Sequence, residues 1–490
     1  MRIYGVLNIV GPVIMSIGMA MLACSGVSWW YGESIMPLMT AGACGTLFGG
    51  LCMLLFRRAD VHNIGMREGC AIVTLSWLFS CIFGALPFYL MGEHGAPVTL
   101  SWTKSFYEAV SGFTTTGASI FSDVEILPKG ILFWRSLTHW FGGMGIVVLA
   151  VAILPKLGVG GMQAFRWESP GPLKADKLVP RVSETAKILY TVYLAVTAVE
   201  VLLLVLSGVK LFDALCYTFG TVGTGGFGIH NSSVAGLQNP TAEWIIATFM
   251  WLSGVNFALT YALFWKADLK AWFRDAEWRV YAAISFAGTI AITFIIAKAQ
   301  NLSLWHALRN AFFQVSTIVT TTGYATTDFL QWPAAAIGIL CIYYFIGGCT
   351  GSTGGGPKVL RHMISWKFIH HEILKLVRPN LVTTVKVGGR AIEQAVVSSV
   401  MGLLLLYFTI FFAGGVALAG FGHDLVTAFS SSIAHLGNIG PGLASAVGPV
   451  GNFGHMSTGA IWLLSGLMLL GRLEVFTVLV LLSPSVWRQR

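Results

Sequence analysis

Residues 220–228 read GTVGTGGFG, five glycines in nine positions between two long apolar runs. A loop this deformable is out of place inside a membrane unless its backbone is needed there. Three further stretches place it in a pattern. SFYEAVSGFTTTGAS covers 105–119, LWHALRNAFFQVSTIVTTTGYA covers 304–325 and DLVTAFSSSIAHLGNIGPG covers 424–442. With LFDALCYTFGTVGTGGF at 211–227, each begins after a long apolar span. Each has a short apolar segment, then a Thr- or Gly-rich turn, then a polar lead into the next span. The order span, re-entrant segment, span therefore occurs four times, with two more spans in front.

The surrounding composition is that of a membrane protein. The chain has 490 residues, 55% hydrophobic and 10% charged, against about 25% charged in a soluble domain. Mean hydropathy is +0.74. Ten spans are expected, at 3–29, 36–56, 70–91, 131–155, 187–209, 243–265, 280–298, 333–350, 394–420 and 457–482, since about 20 apolar residues cross the hydrocarbon core. The first is too long for a cleaved signal peptide. The expected organisation is a two-helix region 1–66 and four repeats at 67–182, 183–274, 275–390 and 391–490.

About 23 of the 30 basic residues fall in Arg2, the segments 57–68, 156–187, 266–279 and 358–390, and the tail. These lie on one side, expected to be the cytoplasm, with both termini there. The net charge of +9 reflects this asymmetry and gives no reason to propose nucleic-acid binding. The eight cysteines form no CxxC pair and read as small packing residues. His139, His435 and His455 are scattered and suggest no metal site. Glu108, Asp213, Lys298 and Arg309 read as helix-end or vestibule charges.

The four turns overlay on one glycine. Thr115-Thr116-Gly117 matches Gly223-Thr224-Gly225, Thr321-Thr322-Gly323 and Asn438-Ile439-Gly440. Irregular backbone at membrane depth survives only where it is buried or lines a watery cavity. A short helix ending in an extended turn presents carbonyl oxygens and the negative end of its dipole. Four such ends around one axis can replace a cation's water shell, as the TVGYG loops of potassium channels do. The aligned turns hold no Asp or Glu, which favours a monovalent ion.

Two other features stand out within the spans. GGCTGSTGGGPK at 347–358 nearly spells a phosphate loop, but Pro357 precedes Lys358 and Val359 stands where Ser or Thr would hold magnesium. Gly347, Gly348, Gly351, Gly354, Gly355 and Gly356 instead predict a helix broken in mid-membrane. Arg472 falls inside the last span, where charge is costly and usually functional; a pair with Glu474, or with carbonyls at a helix–helix contact, is the alternative.

These stretches, with HWFGGMGIVVLAVAILPKLGVGGMQ at 139–163, SGVNFALTY at 253–261 and GRLEVF at 471–476, closely resemble the bacterial Trk potassium uptake proteins of the Trk/Ktr/HKT superfamily. The two extra N-terminal spans resemble its TrkH-like branch. The resemblance implies an all-α integral membrane protein of four membrane–pore–membrane repeats around a pseudo-fourfold pore. It implies potassium as substrate, a homodimer in the bacterial inner membrane and a cytosolic TrkA-like NAD- or ATP-binding subunit. It implies that the glycine loop and Arg472 gate the pore. In related plant transporters serine at the first filter glycine goes with sodium. Gly117, Gly225, Gly323 and Gly440 are all glycine, so potassium is expected. The fourth turn departs from the pattern, with Pro441 after Gly440. Sodium-permeable or non-selective flow stays open, as do passive flow and proton or sodium symport. Four repeats of one orientation argue against an alternating-access transporter with inverted repeats, and no HExxH, GxSxG or carboxylate pair in the spans points to an enzyme. No cofactor of the chain's own is expected.

Overall fold

A computed structural model describes residues 3–59, 65–153, 182–379 and 384–482. The basic positions at 156–181, Arg2, Arg488 and Arg490 lie outside the described residues. The chain is built from helices that run into and out of a membrane many times. Among the described residues, six helices are long and apolar enough to cross it, or seven if one bent pair counts as a single span.

Helices α1 (Ile3–Trp30) and α2 (Met36–Leu55) form the N-terminal pair. They touch backbone to backbone. A Cβ on Gly18 of α1 would lie 2.5 Å from Thr46 Oγ1 and 2.8 Å from Gly42 O of α2. Small residues on both faces permit this approach where lipid gives no hydrophobic drive.

The four repeats follow. The first has α3 (Met66–Leu90), pore helix α4 (Trp102–Phe113) and α5 (Lys129–Ile153). The second has α6 (Val182–Leu206), pore helix α7 (Leu211–Val222), α8 (Pro240–Ser253), α9 (Phe257–Lys266) and the short α10 (Leu269–Arg274). The third has α11 (Ala276–Gln300), pore helix α12 (Leu304–Val319), α13 (Ala334–Tyr343) and α14 (Val359–Val377). The fourth has α15 (Gln394–Gly420), pore helix α16 (Leu425–Leu436), α17 (Thr458–Arg472) and α18 (Phe476–Leu482). A two-residue hairpin joins the last two repeats, with Lys386–Val387 paired to Arg390–Ala391 through Gly388 and Gly389 at φ +57° and +79°, the left-handed pair such a turn requires.

The pore helices are 12, 12, 16 and 12 residues long. At 1.5 Å per residue they reach only partway through about 30 Å of hydrocarbon. Side chains cap three of their N-termini: Ser101, Ser303 and Asp424 accept from Lys104, His306 and Thr427 N–H. The last six residues of each are buried, so the turns that follow lie at the centre of the molecule.

Two spans read as continuous are broken, and a third breaks at its glycines as expected. The span 243–265 bends by 109° between α8 and α9, at Gly254-Val255-Asn256, where Asn256 caps α9. The span 333–350 ends as helix at Tyr343 and runs on as a glycine loop. The span 457–482 stops at Arg472 because Glu474 and Val475 take left-handed φ of +54° and +47°. Leu-Glu-Val has no Gly or Pro to announce a break, so the apolar pattern hid it.

Candidate ion filter and gate

All four pore helices end the same way. The capping residues Thr114, Gly223, Thr320 and Gly437 keep negative φ with ψ between −12° and +2°. The next residues, Thr115, Thr224, Thr321 and Asn438, have φ of +53°, +53°, +59° and +53°. For branched threonines this costs on the order of 1–3 kcal/mol each. The same strain at one position in all four turns shows that the four backbones are constrained alike. The following N–H groups, of Thr116, Gly225, Thr322 and Ile439, reach back to the carbonyls of Ser111, Gly220, Thr317 and Ala434 at 2.7–2.9 Å. Then come Gly117, Gly226, Gly323 and Gly440 at φ +77°, +84°, +85° and +100°.

This register corrects the sequence alignment in the second repeat. Torsions and hydrogen bonds equate Thr115-Thr116-Gly117 with Thr224-Gly225-Gly226, one residue later than Gly223-Thr224-Gly225. Four glycines in GTVGTGG allow several overlays by letter, and the left-handed torsion at Gly226 decides among them. Gly225 is glycine for another reason, since a Cβ there would run into the His139 ring.

The four turns close a ring. A Cβ on Gly117 would collide with Gly225 O, one on Gly226 with Thr322 O and one on Gly323 with Ile439 O. One on Gly440 would lie 2.6 Å from Thr116 O. Each glycine thus abuts the carbonyl of the next repeat, and the fourth returns to the first. One cavity touches all four of these glycines, with Arg135, Asn231 and Asn452 also on its wall.

Each seam of the ring is held differently. Asn438 donates to Thr116 Oγ1 at 2.9 Å and to Met468 O at 3.0 Å. Tyr324 OH donates to Tyr217 O at 3.0 Å, and Tyr344 OH to Pro441 O at 2.8 Å. His435 Nε2 meets Tyr107 OH at 2.6 Å. His139 Nδ1 donates to Gly112 O at 2.8 Å while its Nε2 accepts from Phe227 N–H at 3.1 Å. Among the described residues no three His, Cys, Asp or Glu groups come together as metal ligands. Glu108, read as a helix-end charge, is instead buried in mid-helix and paired with Arg135 at 2.6 Å.

The glycine loop between α13 and α14 lies against the helix ends, away from that cavity. Gly355 N–H donates to Thr321 Oγ1 at 2.6 Å. Thr353 Oγ1 donates to Val222 O at 3.1 Å. A Cβ on Gly354 would lie 3.0 Å from Thr320 O, and one on Gly355 2.5 Å from Gly437 O. The loop therefore reaches the ends of three pore helices, and glycine is needed for the approach. Gly351 and Gly356 take φ of +78° and +62°. Gly347 N–H closes on Pro357 O at 2.8 Å, and Val359 N–H bonds Gly348 O at 3.2 Å. Lys358, buried, donates to Ser352 Oγ and Gly354 O.

Arg472 ties this loop to the first repeat, donating to Thr353 O at 2.9 Å and to Gly142 O at 2.8 Å. Glu474 does not pair with it but with Arg361, at 2.6 Å. Glu277 is a residue sequence reasoning missed. Its Oε1 accepts from Thr350 N–H, Thr350 Oγ1–H and Leu360 N–H at 2.6, 3.1 and 3.1 Å, holding both ends of the loop. Its only sequence signal is an acidic first turn on α11.

A family model described as TrkH, cation transport protein, matches residues 35–488. The chain belongs to the TrkH family of cation transport proteins. It is 41% identical over 434 residues to the Trk system potassium uptake protein TrkH of Escherichia coli K12, covering 88% of each chain. It is 38% identical to the protein of that name from Vibrio parahaemolyticus, covering the whole of both. The crystal structure of the potassium transporter TrkH from Vibrio parahaemolyticus superposes with a TM-score of 0.88 at 36% identity over the full length of both chains. TrkH-family membership and the apolar helices make the chain a multi-pass membrane protein with the expected all-α repeat fold.

Proposed function

We propose that this chain carries potassium across the bacterial inner membrane, through a filter made of Thr115-Thr116-Gly117, Thr224-Gly225-Gly226, Thr321-Thr322-Gly323 and Asn438-Ile439-Gly440. The observation that carries the reading is the closed contact ring, in which each left-handed glycine meets the next repeat's carbonyl. Carbonyl rings can replace the water shell of a monovalent ion. Its relatives' names point to the same ion.

The gate in this proposal is the loop containing Gly347, Gly348, Gly351, Gly354, Gly355 and Gly356, with Lys358 and Arg472. It lies across three pore-helix ends and carries positive charge into the cation's path. Basic residues gathered at 57–68, 266–279 and 358–390 support cytoplasmic termini and a cytoplasmic face for a TrkA-like nucleotide-binding subunit, with the pore working as a homodimer.

Flux of potassium, rubidium, sodium and lithium into liposomes holding the purified protein tests the filter. Potassium and rubidium are expected to exceed sodium and lithium by at least about tenfold, some 1.4 kcal/mol of discrimination. Equal flux of all four ions would favour a non-selective cation pore, the reading to which Asn438-Ile439 and Pro441 in the fourth turn would then point.

Glu277→Ala removes the acceptor at both ends of the loop. It is expected to raise basal rubidium flux severalfold, because a charged acceptor of buried hydrogen bonds contributes about 1.5–3 kcal/mol. Glu277→Gln, which keeps one oxygen, is expected to fall between. Unchanged flux in both would remove Glu277 from the gate.

A further inference from the structure

The ion pair Glu108–Arg135 joins the first pore helix to α5. It is buried, with side chains 0% and 3% exposed, beside a pathway for cations. A buried pair is weak evidence for stability, since apolar residues often serve as well. What this pair holds is more informative.

Glu108 sits on pore helix α4, eight residues before Thr116. Its Oε2 accepts from Ile120 N–H at 3.0 Å and its Oε1 from Ser119 Oγ–H at 3.1 Å. Both lie on the strand leaving the first filter turn. Arg135 sits on α5. It donates to Gly228 O at 2.8 Å, and its guanidinium lies 3.5 Å from the centre of the Phe227 ring. Both of those lie on the strand leaving the second turn. One helical turn further along α5, the His139 ring stands 4.1 Å from the Phe227 ring and accepts the Phe227 N–H. Phe227 immediately follows the left-handed Gly226. It is thus gripped by a cation, an imidazole and a backbone hydrogen bond at once.

Among the described residues the other repeats lack this device. The positions equivalent to Glu108 in the turn register are Tyr217, Gln314 and Ser431. Gln314 is buried with neither polar atom bonded, and Tyr217 turns its hydroxyl to Ser233 O. Among the described residues the clamp belongs to the first-to-second seam alone.

We infer that Arg135, with Glu108 and His139, is a positioning residue for ion selectivity: it fixes the spacing of the first and second filter turns by gripping Phe227. The inference rests on the filter reading. Charge alone is insufficient for the role. A lysine would keep the attraction to Glu108 but has no planar fork to stack on Phe227 while bonding Gly228 O.

The test measures initial potassium and sodium fluxes in liposomes for Arg135→Lys, Phe227→Leu and, as a filter control, Gly226→Ala. A merely structural role would lower both fluxes together and leave their ratio alone. The expected result is a potassium-to-sodium ratio lowered about fivefold, near 1 kcal/mol, in Arg135→Lys and Phe227→Leu. Unchanged ratios in both, with the ratio lowered in Gly226→Ala, would overturn the inference and leave the filter intact. An unchanged ratio in Gly226→Ala would overturn the filter reading and this inference with it. Phe227→Leu leaves the ion pair whole, so it decides the matter if Arg135→Lys is not recovered from the membrane.

Discussion

Gly226→Ala is expected to cut potassium flux at least tenfold and to narrow the gap between potassium and sodium. Two effects combine at that position. The left-handed torsion, +84°, costs any residue with a Cβ about 1–2 kcal/mol. The added methyl would also strike Thr322 O, so the carbonyl proposed as an ion ligand must move. Electrostatic ligands lose most of their effect when displaced, because their advantage over water lies in fixed position. Gly50→Ala is the matched control, since a Cβ there meets nothing within 4 Å. Its flux should equal that of the parent. Parent-like flux in Gly226→Ala would mean that the ring does not limit permeation.

The second large effect is expected at Arg472. Arg472→Ala removes a positive charge from beneath the ring and frees the carbonyls of Thr353 and Gly142. A unit charge about 5 Å from a passing cation, at an effective dielectric near 20, opposes it by about 3 kcal/mol. Basal potassium flux should therefore rise more than tenfold. Arg472→Lys separates barrier from tie. It keeps the charge but has no fork to bridge two carbonyls in different repeats, so its flux should rise less. Equal, parent-like flux in both variants would remove Arg472 from the gate and leave it a helix-packing contact.

Much of the architecture was legible because it depends on local signals. Long apolar runs set the spans, and TTTG at 114–117 and 320–323 stands out in both odd repeats. The glycines at 347–356 announced a broken helix. What escaped was whatever depends on contact between distant segments or on torsion. The break at Glu474 and Val475 is held by left-handed backbone in residues that normally avoid it, so no breaker residue marked it. The second turn was aligned one residue early because letters cannot distinguish Gly225 from Gly226. The difference lies in a torsion and in the His139 ring beside Gly225. Glu108 resembled a helix-end charge because its partner is 27 residues away on another helix. Glu277 was missed for the same reason, since the backbone it holds lies in the glycine loop of the same repeat.

The central claim is that the four carbonyls beside the left-handed glycines form an ion site. It is tested most directly by an experimental structure with rubidium in place of potassium, using the anomalous signal of the heavier ion. Rubidium is expected on the axis of the ring, in reach of the oxygens of Thr116, Gly225, Thr322 and Ile439, and is expected to be lost in Gly226→Ala. A rubidium signal elsewhere in the molecule, with none at the ring, would contradict it.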